Sequence, residues 1–178
     1  MRICWIVFWA GRYRERHKMT WTRDIVKLIV SIATCLCAGA IGSIFTTPAI
    51  PTWYATLEKP PFNPPNWLFA PAWTTLYLLM AISAFIIWRR SVNNRQGQKS
   101  LIIFLIQLIL NALWSAVFFG LESPLYGIII IIALWAAILL TILMFFRLSL
   151  LAGWLLLPYI GWVTFAAILN IYIFILNP

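Results

Sequence analysis

Charge is scarce in this chain: 10% of its 178 residues are charged, and four acidic residues stand against thirteen basic ones. The single histidine, His17, lies near the start, outside every long apolar run, and Lys27 is the sole charged side chain within those runs, close enough to an end to snorkel. Ionisable groups inside a bilayer are costly and usually mark proton relays, pumps or hydrolytic centres. Their absence removes proton-coupled transport, intramembrane proteolysis and carboxylate- or histidine-based hydrolysis. Cysteine is also sparse. Cys35 and Cys37 are two residues apart, roughly 200° around a helix, so they cannot chelate one ion together, and Cys4 lies far upstream. No metal site is expected.

What the chain has instead is hydrocarbon: 63% hydrophobic residues and a mean hydropathy of +0.94. A membrane-spanning helix needs about 20 mainly apolar residues, and five stretches qualify: 25–45, 67–88, 101–119, 125–146 and 150–176. So short a chain has no polar helices to cover five wholly apolar ones. A β-barrel would alternate apolar and polar residues, whereas Ile128 to Ile132 is apolar on every side. The expected fold is an all-α membrane protein, a bundle of five transmembrane helices over 24–178, with 46–66 as a loop closing one end.

The basic residues are unevenly shared between the two ends of that bundle. Twelve fall on the side of the N-terminus and only Lys59 on the other, so the positive-inside rule predicts a cytoplasmic N-terminus in the cell membrane. Scattered over short loops and a tail, these charges do not form a nucleic-acid-binding surface. Residues 1–23 read as a cytoplasmic tail, disordered or lying on the membrane surface, with no function assigned.

Polar chemistry is confined to amides, hydroxyls and aromatics. Gln107, Asn111 and Ser115 recur every four residues and share one helix face, and Asn170 lies deep in the fifth span. Such groups serve either as interhelical hydrogen-bonding glue or as ligand contacts. Pro158 should kink the fifth helix beside Tyr159 and Trp162. Of eleven tryptophans, Trp67 and Trp88 fit interfacial belts, while Trp73, Trp114, Trp135 and Trp162 lie within spans, where an indole needs a partner. The stretch from Trp53 to Trp73 carries prolines at 60, 61, 64 and 65 and aromatics at 53, 54, 62, 67 and 69. A stiff, apolar loop of this kind reads as a lid over a cavity, or as a loop packed on the headgroups.

Four ordered motifs then resemble a known family. WYxxLxKPxxxPPxW runs from Trp53 to Trp67, WTxLYxxM from Trp73 to Met80, QLxLNxxWSxxFF from Gln107 to Phe119, and PYxxWVTFAxxLN from Pro158 to Asn170. They resemble the TspO or translocator protein family, the tryptophan-rich sensory proteins, over Ile25 to Asn177. The resemblance implies a five-helix bundle, often a homodimer, whose pocket binds porphyrins and, in some members, sterols and benzodiazepine-type drugs. Carried onto this chain, the pocket takes Trp53, Tyr54, Trp73, Tyr77, Asn111, Trp162 and Ala166, and Gln107 joins them as the neighbour of Asn111 on its face. Ala81 stands where relatives commonly have glycine. No basic residue follows Arg147, so the tyrosine-plus-cation pattern of sterol-binding members cannot be completed by Tyr159 or Tyr172, and sterol is placed low among ligands.

The leading expectation is therefore a porphyrin-binding sensor or regulator in tetrapyrrole and oxidative or light stress, with membrane lipid and porphyrin as partners and no required cofactor. A second is a light-dependent protoporphyrin-degrading enzyme, with Trp73 and Trp162 as the photochemical residues. A third is a translocator of porphyrin or lipid, against which stands the lack of an inverted repeat. Homodimerisation is expected through Ala112 and Ala116 on the third span, with Gly39 and Ser43 on the first as the alternative surface.

Overall fold

The computed structural model describes residues 2–91 and 94–178, with side chains from Trp21 onward. Its elements are α1 (Arg2–Ala49), α2 (Trp53–Thr56), a 3-10 turn (Asn66–Leu68), α3 (Phe69–Arg90), α4 (Arg95–Ser115), a π-turn (Ala116–Gly120), α5 (Pro124–Phe146), α6 (Leu150–Leu155) and α7 (Leu157–Leu176). No strand occurs among the described residues. The side chains of 2–20, including Cys4 and His17, lie outside the described residues; the backbone of 2–23, expected as a disordered or surface-lying tail, is helical and continuous with the first span in α1.

Five segments are long and apolar enough to cross a membrane: Trp21–Ala49, Asn66–Arg90, Arg95–Gly120, Pro124–Phe146 and Leu150–Leu176. They match the five expected spans; the first four run longer, the fourth by a single residue, and the fifth has the expected bounds. The reason is polar capping beyond the hydrocarbon: Asn94 accepts from the Gln96 N–H, so α4 gains a turn before its apolar run, and Pro124 occupies the first turn of α5, where a missing N–H costs nothing.

The fifth span is interrupted. α6 ends at Leu155, and Pro158 sits in the first turn of α7, so the expected kink takes the form of a break at Leu156. The Leu156 N–H turns back to the Gly153 carbonyl at 3.1 Å, and the Ile160 N–H takes up the Leu156 carbonyl at 3.2 Å.

The outer faces are hydrocarbon: Ile44, Ile109 and Ile175 are each more than 60% exposed. This inversion of the soluble pattern suits lipid, since helices satisfy their backbone internally. Inside, the first span packs on the second and third, the fourth on the third and fifth, and the second meets the fifth mainly through α6. Gly39 permits a close approach between the first and second spans. A Cβ there would lie 2.5 Å from the Tyr77 ring, so only glycine lets α1 rest on that tyrosine. Ser83 ties α3 to α6 by donating to the Ala152 carbonyl at 2.7 Å, and at the opposite end from the loop Arg89 pairs with Asp24 at 3.1 Å.

α3 and α7 scarcely touch, and the bundle opens into a cavity bounded by α1, α3, the end of α4 and α7, with Tyr54 of the loop on its wall.

Candidate functional site

The cavity has a volume of about 550 Å³, within the range of sites for drug-sized ligands. Among the described residues no charged side chain lines it, nor any histidine, cysteine or methionine. Three of its hydroxyls donate within their own helices: Ser43 to the Ala40 carbonyl at 2.7 Å, Thr46 to Gly42 at 3.1 Å and Thr74 to Ala70 at 2.8 Å. Thr47, Ser115, Asn66 and Asn170 add polar groups to a wall that is otherwise mainly methyl groups and rings.

Aromatic side chains dominate that wall. Trp73 stacks on Tyr77 with ring centroids 5.6 Å apart and meets Tyr159 edge-on at 6.3 Å. Trp162 lies one turn beyond Pro158 and touches Phe69 at 6.3 Å and Phe165 at 5.7 Å. Trp114 stacks on Phe118 at 5.4 Å and donates to Asn170 at 3.4 Å, while the other end of the Asn170 amide donates to the Pro124 carbonyl at 2.9 Å. The π-turn at Ala116–Gly120 widens the helix by one residue at this point. Phe118 and Phe119 follow each other in sequence there, and both face the cavity.

The sequence candidates divide into two groups. Tyr54, Trp73, Tyr77, Trp162 and Ala166 line the cavity; Trp53, Gln107 and Asn111 do not. Trp53 packs edge-on against the back of Phe118 at 5.4 Å. Gln107 and Asn111 are fully buried behind the wall in one chain of hydrogen bonds. The Tyr77 hydroxyl donates to Asn111 Oδ1 at 2.5 Å, Asn111 Nδ2 donates to the Tyr159 hydroxyl at 3.1 Å, and that hydroxyl donates to Gln107 Oε1 at 2.9 Å. Gln107 Nε2 ends the chain on Met80 Sδ at 4.0 Å. The amides thus fix the two tyrosines rather than face the cavity. Ser115, on the same helix face one turn further, does line it.

The loop closes the cavity from above and is tied down at several points. Tyr54 is 2% exposed, lines the cavity, and donates to Asn63 at 2.7 Å. Burial pushes its phenol up to about 12, so it remains a neutral donor at any physiological pH. Asn177 clamps the loop to the end of α7, accepting from the Glu58 N–H at 2.9 Å and donating to the Glu58 carbonyl at 3.0 Å. Phe62 packs edge-on against Tyr172 at 5.2 Å.

This arrangement of tryptophans, tied loop and charge-free cavity coincides with a known sequence family. The model of the TspO/MBR family matches residues 31–176. The chain belongs to the TspO/MBR family. Among curated TspO/MBR relatives, the tryptophan-rich protein TspO of Archaeoglobus fulgidus is 49% identical over 154 residues, covering 86% of this chain and 99% of that one. The protein of the same name from Chlorobaculum tepidum is 43% identical over 156 residues, 88% and 99% of the two chains. The human translocator protein is 31% identical over 131 residues, 73% and 78% of the two chains.

Sequence reasoning missed Phe118, Phe119 and Phe165 as wall residues and took Phe69 only as part of the lid. All lie inside or beside the quoted motifs, but phenylalanine in a membrane span carries no distinguishing signal. Ala112 and Ala116, on the helix face away from this cavity, are half-buried in the single chain. Gly39 and Ser43, the alternative pair on the first span, both line the cavity, and Gly39 lies against Tyr77.

Proposed function

We propose that this TspO/MBR family member binds a porphyrin in the cavity beneath the loop and acts as a membrane-embedded sensor or regulator of tetrapyrroles under oxidative or light stress. The observation that carries this reading is the cavity itself: about 550 Å³, free of charged groups, and walled by Trp73, Trp114 and Trp162. A flat, largely apolar macrocycle gains from burial and from stacking or edge contacts with indoles, about 0.5–1.5 kcal/mol per aromatic pair beyond area. The wall offers no histidine, cysteine or methionine, and its two tyrosine hydroxyls are engaged by Asn63 and Asn111, which favours a metal-free porphyrin over haem. We place the protein in the cytoplasmic membrane with its N-terminus cytoplasmic, on the strength of the basic asymmetry, and as a homodimer through Ala112 and Ala116.

A second reading, light-dependent breakdown of protoporphyrin with dioxygen as oxidant, is favoured by the stacking of Trp73 on Tyr77, which puts two oxidisable rings in contact at the wall. Absorption spectra of the purified protein with protoporphyrin, in the dark and under illumination, test both. A stable complex in both conditions is expected of a sensor. Light-dependent loss of the porphyrin band that requires the protein identifies the enzyme, and no saturable binding in the dark overturns the proposal.

A further inference from the structure

We propose that Lys59 is an anion anchor at the mouth of the cavity, placed to pair with a carboxylate carried by the bound ligand. The inference rests on the porphyrin reading and adds to it a residue that sets specificity. It begins from a mismatch of charge: a porphyrin diacid is apolar over the macrocycle and anionic along one edge, whereas the cavity wall holds no charge at all. Moving a carboxylate into such surroundings without a partner is prohibitive. The acidic edge must therefore stay at the mouth, beneath or beside the loop.

Lys59 is the sole basic residue between Lys27 and Arg89 in the sequence, and it lies in that loop. Its ammonium is held rather than free to swing in solvent. Nζ lies 4.9 Å from the centroid of the Tyr54 ring, donates to the Leu57 carbonyl at 3.0 Å, and reaches the Ala55 carbonyl at 3.4 Å. Tyr54 is itself a wall residue, so one aromatic ring joins the cation to the cavity. Pro60 and Pro61 follow directly and restrict the backbone, and the Tyr54 to Asn63 hydrogen bond fixes the ring.

What the ammonium lacks is a negative partner. Among the described residues the ion pair formed is Arg89 with Asp24, at the other end of the bundle. Glu58, although adjacent in sequence, engages Asn177 through its backbone, and its carboxylate makes no ion pair with Lys59. An ammonium has three donors, and two are directed at carbonyls. A half-buried cation, pre-positioned and without a counter-charge, suits a carboxylate that arrives with the ligand.

The test compares two forms of one macrocycle, protoporphyrin and its dimethyl ester, which differ only in charge at the acidic edge. Binding is measured in the dark in maltoside detergent free of phospholipid, so that no lipid phosphate can occupy the lysine. Lys59→Met should weaken the diacid about three- to tenfold, the range for a partly exposed pair, and leave the ester unchanged. Lys59→Arg should retain the preference for the diacid. Raising the salt should weaken diacid binding to the parent and not to Lys59→Met. Equal loss for diacid and ester would make Lys59 a structural prop of Tyr54 and overturn the proposal, as would no loss for either. If the variant changes only the retention of anionic phospholipid, the cation serves a headgroup and the proposal falls. Failure of the parent to bind either porphyrin sinks the porphyrin reading itself, an outcome distinct from all of these.

Discussion

Replacing Asn111 by alanine removes the acceptor of the Tyr77 hydroxyl and a donor to the Tyr159 hydroxyl, while Tyr159 keeps its bond to Gln107. Two buried hydrogen bonds are lost and one hydroxyl, that of Tyr77, is left without a partner. Buried interhelical hydrogen bonds in membranes contribute about 0.6 kcal/mol each on average and up to about 1.7, and an orphaned buried donor costs about 1–3 kcal/mol. The expected loss is therefore about 2–4 kcal/mol of stability. Gln107→Ala removes the acceptor of the Tyr159 hydroxyl, which keeps only the bond it accepts from Asn111, and should cost about 1–3 kcal/mol. Since both changes act on Tyr159, the double variant should depart from the sum of the singles. Buried Cys35 supplies the readout: with Cys4 and exposed Cys37 changed to serine, thermal labelling by a thiol-reactive dye reports unfolding of the bundle. Porphyrin affinity should fall only as far as Tyr77 is released from the wall. If both variants unfold at the parent temperature yet lose porphyrin binding, the amides contact the ligand and the account of the wall is wrong.

Trp162→Phe keeps an aromatic face in the cavity but loses the indole, and should weaken porphyrin by less than about tenfold; if indole oxidation drives breakdown, this variant and Trp73→Phe should bind in the dark yet lose most light-dependent loss of the porphyrin band, and unimpaired degradation in the double variant would remove both from the reaction. Gly39→Ala puts a methyl against the Tyr77 ring, where the Cβ would stand 2.5 Å away, and should cost about 1–3 kcal/mol by overpacking, visible in the same thiol-dye melt. Because the Tyr54 phenol is raised to about 12, its contribution to loop closure is full below about pH 10, the unfolded value, and is lost between pH 10 and 12; limited proteolysis of the loop should show this step, and Tyr54→Phe should abolish it. Metal-free protoporphyrin should bind at least as well as haem, and a six-coordinate haem spectrum that persists after deletion of residues 1–18 would contradict a wall whose tyrosine hydroxyls are held by Asn63 and Asn111.

The bundle was legible because a spanning helix must be apolar for about 20 residues on every lipid-facing side, and five runs met that demand. The break at Pro158 was legible as a kink, since proline removes an N–H wherever it stands. The role of the amides was not. The four-residue spacing of Gln107, Asn111 and Ser115 correctly gives one helix face, but a face says nothing about depth. The cavity ends between Asn111 and Ser115, so two members of the stripe hold tyrosines and the third lines the void. The π-turn left no trace in the sequence, because nothing distinguishes AVFFG from a continuing α-helix. The clamp between Asn177 and Glu58 spans 119 residues and depends on the path of the loop, which its prolines stiffen without directing.

The central claim, that a porphyrin occupies the charge-free aromatic cavity, is tested most directly by quenching of tryptophan fluorescence on titration with protoporphyrin in the dark. Two variants of similar bulk give the contrast: Ala166→Phe, which fills the cavity, and Ile109→Phe, which adds a ring on the exposed face of α4. Saturable quenching in the parent and in Ile109→Phe, lost or weakened at least tenfold in Ala166→Phe, is the predicted result. Equal quenching in all three, or quenching that rises without saturation, would show that porphyrin partitions onto the outer surface and leaves the cavity empty.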